Sequence, residues 1–405
     1  METNIDYKAA RDLLLAQVTP LGTEAVPLAE AEGRVLAQSV TAVLDVPPFD
    51  RSPFDGYAFQ AVDSAGADRE HPVTLRVLEE IPAGSMWTRP VVPGTAAKIL
   101  TGAPIPPGAD AVTKYEDTAF TAETVTIFTA FAAGENIVPQ GEDVRAGDVL
   151  AGPGEVIDGA RMGTLAAQNI PAPLVYKIPR VGIITSGSEL VEPGEELTGG
   201  KIVNTNRYAF TGAVRHAGCV PVFYGAPEDD PEVIADRMDR ALRECDMVIT
   251  TGGVSVGDYD FTPAAMDRAG VQTLIRTLRL KPGGASAYGI REGRLLCGLS
   301  GNPASALTNF YAVVLPVLRK LQGLAEPRLT ELTVALAGDF GKRSPKTRLI
   351  RGTLRLTDGT AVMDVSRAQG NGVLHSLAGC DLLAEIPAGS GKLPAGTRLT
   401  AYRIP

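Results

Sequence analysis

The residues that could do chemistry in this chain of 405 collect where apolar runs stop. After "RVGII" come Thr185, Ser186, Gly187, Ser188 and Glu189. After "DMVI" the chain reads "TTGGVSVGDYD", Thr250 to Asp260, and after "RLLCGL" come Ser300, Gly301, Asn302, Pro303, Ala304 and Ser305. Glycines let backbone N–H groups come close to a ligand, and serine or threonine hydroxyls add donors. Asn302 followed by Pro303 fits an N-cap and a first helical position, so the third stretch is expected to open a helix, whose N-terminus favours phosphate or carboxylate. One such loop would be an ordinary turn. Three on one edge of one sheet predict a ligand site. Its contact residues are expected among Thr185, Ser186, Gly187, Thr251, Gly252, Gly253, Ser255, Gly257, Ser300, Gly301, Asn302 and Pro303.

Acids stand at the same edge: Glu189, Asp229, Asp258 and Asp260. Carboxylates beside a phosphate site make sense if Mg²⁺ lies between them, because that ion takes carboxylate and phosphate oxygens together. Glu189 and Asp260 are the metal candidates. Asp229 and Asp230 precede Pro231 and could simply cap a helix, and Asp258 could be a turn acid. There is no GxxxxGK[ST] stretch, which excludes a P-loop enzyme. His71, His216 and His375 stand apart with no triad or ligand spacing.

These loops need a frame. Between about residues 179 and 321, apolar runs (180–185, 219–225, 246–252, 294–300) alternate with helical patterns (207–217, 231–244, 262–269, and a last one over 304–322). Apolar strands alternating with amphipathic helices predict a doubly wound parallel sheet covered on both faces, with ligands outside the carboxyl ends of its strands. Residues from about 21 to 150 are rich in Val, Thr, Pro and Gly and predict short strands and structured loops, including "PPFDRSPFDGYAF" (Asp50, Arg51, Ser52, Asp55) and "TGAPIPPGADAV" (Thr101). One short helix is expected within 153–170. From about residue 326 the strand pattern returns and predicts a C-terminal β-barrel or sandwich.

The net charge of about −9 argues against a nucleic-acid binder, since phosphate neutralisation needs clustered cations. Any anionic ligand must be held locally. No stretch approaches the ~18 uninterrupted apolar residues of a membrane span. The acidic, helically patterned N-terminus is not a signal peptide. Cys219, Cys245, Cys297 and Cys380 lie far apart without a CxxC pair and are expected to be buried hydrophobes of a reducing, cytoplasmic protein.

In order along the chain, "FDRSPFDGYA", "TGAPIPPGADAV", "GEDVRAGD", "TSGSEL", "NTNRY", "TTGGVSVGDYD", "LKPG" and "SGNPASA" resemble the molybdopterin molybdenumtransferases, the MoeA family, which includes the gephyrin E domain. The resemblance covers nearly the whole chain. It implies an enzyme of molybdenum cofactor biosynthesis that inserts molybdate into adenylylated molybdopterin, hydrolysing the adenylate with Mg²⁺ and releasing AMP. It implies an elongated homodimer with a composite site and contact with other cofactor-synthesis proteins. It also implies four domains. These are a molybdopterin-binding, MogA-like α/β domain (1–20 and 180–325), a discontinuous linker or dimerisation domain (21–45 and 145–179), a mostly β insert (46–144) and a C-terminal barrel (326–405). By motif, Asp55, Thr101 and Asp143 would come from the β region, and Glu189, Asp229, Asp260 and Lys281 from the α/β edge. The chain departs from the family pattern at Val138 (usually arginine), Thr277 (often lysine), Gly284 in "KPGG" for "KPGK", Ser300 and His375. Two alternatives to turnover are a molybdopterin-binding scaffold and a molybdopterin adenylyltransferase. The extra β domains argue against the second, which needs only the α/β unit.

Overall fold

The structure, a computed structural model, describes residues 1–254 and 261–405. The chain forms two compact units: Met1–Gln38 with Pro153–Asp158 and Pro173–Pro405, and Ser39–Gly152 with Gly159–Ala172.

The first unit is built on a seven-stranded sheet. Its strands are β1 (Glu2–Ile5), β2 (Arg180–Thr185), β3 (Val220–Phe223), β4 (Met247–Thr251), β5 (Gln272–Leu278), β6 (Ser286–Arg291) and β7 (Arg294–Leu299), in the order β1-β5-β6-β7-β4-β2-β3. The four apolar runs read from the sequence are β2, β3, β4 and β7, and they lie side by side in parallel. The wholly parallel sheet expected from the sequence is instead mixed. β6 runs antiparallel to both β7 and β5, and β1 joins β5 in parallel. β6 follows β5 after a short connection, and a short connection can only reverse direction; a parallel return needs a long crossover.

Alternate strand residues serve opposite faces. Val181, Ile183, Met247, Ile249, Leu295 and Cys297 pack with helices α1 (Tyr7–Ala16), α2 (Thr205–His216) and the run that begins with α5 (Pro303–Asn309). Ile184, Val248 and Leu296 pack with α3 (Pro231–Glu244) and α4 (Thr262–Arg268). α5 continues through a π-helical turn, Phe310–Val314, into a further helix, Leu315–Leu321. At that turn Phe310 meets Phe210 edge-on at 5.7 Å, both rings wholly buried.

The C-terminal barrel closes through five strands: Thr347–Thr357, Thr360–Val365, Glu331–Leu336, Arg398–Arg403 and Leu382–Ile386, with the last pairing back to the first. Leu280 and Lys281 add a two-residue parallel pair with Thr347 and Arg348.

The second unit carries a six-stranded sheet: Ala111–Lys114, Gly56–Phe59, Thr95–Ile99, Val73–Ile81, Thr124–Ile127 and Thr118–Phe120 in that order. Tyr57, Phe59, Leu75 and Val125 fill one face and Ala58, Ile81, Ile99 and Val112 the other, so this sheet is buried on both sides. Among the described residues no helix is long and apolar enough to cross a membrane.

Candidate active site

β2, β4 and β7 end level: Thr185 pairs with Thr251, and Thr251 with Leu299. The ladder runs on past them, with the Ser186 N–H donating to the Thr251 carbonyl at 2.9 Å and the Gly252 N–H to the Leu299 carbonyl at 3.1 Å. The loops then pass each other at backbone distance, which explains their glycines. A Cβ on Gly252, where φ is +101°, would stand 2.5 Å from the Ser186 carbonyl oxygen. The place of a Cβ on Gly187 is taken by the Glu189 carboxylate at 2.6 Å.

Two asparagines of "NTNRY" tie these loops together. Asn204 caps α2, accepting from the Arg207 N–H at 3.2 Å, while its Nδ2 donates to Thr185 Oγ1 at 2.8 Å. Asn206 Nδ2 donates to Thr251 Oγ1 at 3.2 Å and to the Gly301 carbonyl at 2.9 Å. The hydroxyls of Thr185 and Thr251, expected to face a ligand, are therefore buried behind the wall and fix its shape. The sequence reading quoted this motif without assigning the asparagines; two of them flanking one residue just before a helical pattern was the available signal.

In front of this edge lies a cleft of about 1110 Å³. Its strand-end wall holds Ser186, Gly187, Glu189, Gly252, Gly253, Ser300, Gly301, Asn302 and Pro303, with Asp229 beside them. Asp229 accepts from the Ser188 N–H at 3.1 Å, and it is Asp230, not Asp229, that caps α3, accepting from Glu232 N at 2.7 Å and Val233 N at 3.1 Å. Pro303 starts α5 as expected; Asn302 stands at its N-cap but its side chain makes no capping bond. Facing them are Lys281–Ala285 and, from the barrel, Ser344, Pro345, Lys346, Asn371 and Gly372. Lys346 escaped the sequence reading, although Lys342, Arg343, Lys346 and Arg348 crowd into seven residues of an acidic chain.

Ser255, Gly257, Asp258 and Asp260 lie outside the described residues. Among those described, no group of three or more His, Cys, Asp or Glu could hold a metal ion. Two carboxylates, Glu189 and Asp229, do line the cleft, a donor set suited to Mg²⁺, which keeps waters and shares phosphate oxygens instead of demanding a protein cage.

Two departures from the family pattern have structural reasons. A Cβ on Gly284 would meet the carbonyl oxygens of Leu280 at 2.6 Å and Leu278 at 2.8 Å, so this loop admits no lysine there. Thr277, at φ +62°, accepts from the Asn4 N–H at 3.2 Å and so fastens β5 to β1.

In the second unit Asp55 and Thr101 come together: one Asp55 oxygen accepts from both the N–H and the hydroxyl of Thr101, each at 2.7 Å. Gly56 follows because a Cβ there would lie 1.8 Å from the Thr113 carbonyl oxygen. Both line an open hollow of about 500 Å³ with Phe54 and Lys114. Asp143 is exposed on a separate turn, held by its N–H to the Val46 carbonyl at 2.9 Å, and does not line that hollow.

The Thr101 N–H, and then its hydroxyl, hold the Asp55 carboxyl below the usual value. A depressed folded-state pKa favours the folded chain above the ordinary aspartate pKa, an advantage lost as pH falls through the lowered value. Thr101→Val keeps the N–H and removes the hydroxyl, so the Asp55 midpoint is expected to rise part of the way back. Carbon-13 NMR of the carboxyl group measures it, and an unmoved midpoint would show that the hydroxyl contributes nothing.

All four cysteines are free; Cys219, Cys245 and Cys297 are buried as expected, whereas Cys380 is half-buried. Burial pushes the Cys219 and Cys297 thiols up to about 12, which leaves no thiolate for chemistry.

Fold and site define a multidomain α/β protein with a ligand-sized cleft outside the carboxyl ends of its strands. Three family models match in succession: the MoeA N-terminal region (domains I and II) over residues 5–168, a probable molybdopterin-binding domain over 182–320, and the MoeA C-terminal region (domain IV) over 333–404. The chain belongs to the MoeA family. It is 34% identical over 394 residues to a molybdopterin molybdenumtransferase of Staphylococcus epidermidis (strain ATCC 35984), covering 97% of this chain and 94% of the relative. The corresponding protein of Staphylococcus aureus (strain Mu50) is 33% identical over 392 residues, with the same coverage, 97% and 94%. The crystal structure of the molybdopterin biosynthesis moeA protein from Pyrococcus horikoshii OT3 superposes with a TM-score of 0.83 at 33% identity, covering 99% of this chain and 100% of that one.

Proposed function

We propose that this transferase of molybdenum cofactor biosynthesis inserts molybdate into adenylylated molybdopterin, with Mg²⁺-dependent hydrolysis of the adenylate and release of AMP. The observation that carries the proposal is the cleft's division: a backbone-lined, carboxylate-bearing edge opposite a wall with Lys281 and Lys346. Gly187, Gly252, Gly253 and Gly301 let the chain approach a pyrophosphate linkage. Glu189 and Asp260 would hold Mg²⁺, which when bound neutralises charge on phosphate oxygens. Asp229 orients the Ser188 loop and its neighbour Glu189. Lys281 and Lys346 offer charge-assisted contacts to the molybdate dianion, each worth about 1.5–3 kcal/mol. We place the protein in the cytoplasm as a homodimer with four domains divided as the resemblance implies.

The test is AMP release from adenylylated molybdopterin with Mg²⁺ and molybdate; no AMP above a blank would favour a scaffold that binds without turnover. Glu189→Gln is expected to lower that release by about 10²-fold, the scale of one lost electrostatic group at a reacting centre. Its Tm should stay parental, because Glu189 is exposed. Full activity at saturating Mg²⁺ would remove Glu189 from the metal site.

A further inference from the structure

Arg351 lies wholly buried on the barrel strand Thr347–Thr357, and among the described residues its Nε and Nη1 have no hydrogen-bond partner and no carboxylate pairs with it. Its Nη2 donates to the carbonyls of Gly370 at 3.1 Å and Ala368 at 3.4 Å. Between these two carbonyls, Gln369 closes a ring with the same residue: its Oε1 accepts from the Arg351 N–H at 3.0 Å, and its Nε2 donates to the Arg351 carbonyl at 2.9 Å. The segment then runs directly into Asn371 and Gly372, which line the cleft, and the Asn371 carbonyl accepts from the Ser305 N–H in the first turn of α5 at 3.0 Å.

A buried cation without a counter-ion is costly, and replacing buried ionic groups by apolar ones of similar volume is often neutral or stabilising. Barrel stability therefore does not explain an arginine here. What a guanidinium does, and a methionine cannot, is grip two carbonyls of one loop at once.

We propose that Arg351 is a positioning residue of the cleft's barrel wall: with Gln369 it fixes the 368–370 backbone and so sets Asn371 and Gly372 opposite the Ser300–Pro303 loop. Because this wall also carries Lys346, the substrate whose binding depends on it is the oxyanion. That last step rests on the function proposed above; the positioning does not.

Two readouts on the full-length Arg351→Met variant separate the two. Hydrogen exchange over 366–377 is expected to quicken about tenfold or more, with exchange in the strand Arg398–Arg403 unchanged and Tm equal to or above the parental value. In turnover, KM for molybdate should rise about tenfold while kcat at saturating molybdate stays within about twofold. Unchanged exchange in 366–377 overturns the proposal, as does a lowered Tm with KM unaltered. If the parent releases no AMP, the exchange result still decides the positioning, and only the proposed function fails. Should Arg351→Met not fold, Gln369→Leu gives the same exchange test with the guanidinium in place.

Discussion

Gly252→Ala is expected to abolish turnover, with AMP release falling at least about 10²-fold and Tm dropping by several degrees. Two costs coincide. A φ of +101° is one that only glycine adopts freely, so an alanine there is strained by about 1–3 kcal/mol. The new methyl would also sit 2.5 Å from the Ser186 carbonyl and 2.8 Å from its hydroxyl, driving apart the loops that follow β2 and β4. Neither neighbour can yield cheaply, because one is backbone in the ladder and the other a buried side chain. Gly253→Ala is the control. Its φ of +60° lies in the left-handed region and its methyl would meet Thr262 Oγ1 at 3.1 Å, so it should cost about 1 kcal/mol. Calorimetry and AMP release on both variants check the ranking. A Gly252→Ala protein with parental Tm and activity would contradict the backbone described for this edge.

Mixing Asp55→Ala chains with Asp260→Ala chains, each inactive alone, is expected to restore up to about a quarter of parental activity. We propose that the site is completed across a homodimer, so a mixed dimer has one intact composite site out of two. Random exchange makes half the dimers mixed in a twofold assembly, hence about a quarter overall. The physical pressure is electrostatic: a chain of net charge −9 cannot gather a dianion through its bulk field, so local donors must converge. Subunit exchange is verified by mass spectrometry of isotopically labelled chains. A mixture that exchanges and stays dead would mean a site built within one chain.

The most legible parts were those where side-chain burial follows from one short segment. β2 and α3 fall where a continuous apolar run and the Asp230–Pro231 start placed them. β5 and β6 were not legible. "QTLIRTL" carries an arginine and half-buried positions, and "SAYGIR" has a glycine at its centre, so neither reads as a buried strand. Their pairing is decided by tertiary packing. In the site, the glycines were readable because three apolar runs end in them, whereas Asp229 read only as a possible helix cap and entered the site through the family motif. Asn204, Asn206 and Asn371 were not, because each acts through a residue distant in sequence: Asn204 reaches Thr185, Asn206 reaches Gly301, and Asn371 comes from the barrel to Ser305.

Leu280 and Lys281, the short pair with Thr347 and Arg348, stand at the lip of the cleft. Backbone hydrogen bonds stitch the loop after β5 to the barrel there, so this wall cannot come apart without leaving peptide groups unpaired. Two pieces of one wall, far apart in sequence, are thereby held as a single surface facing the strand ends.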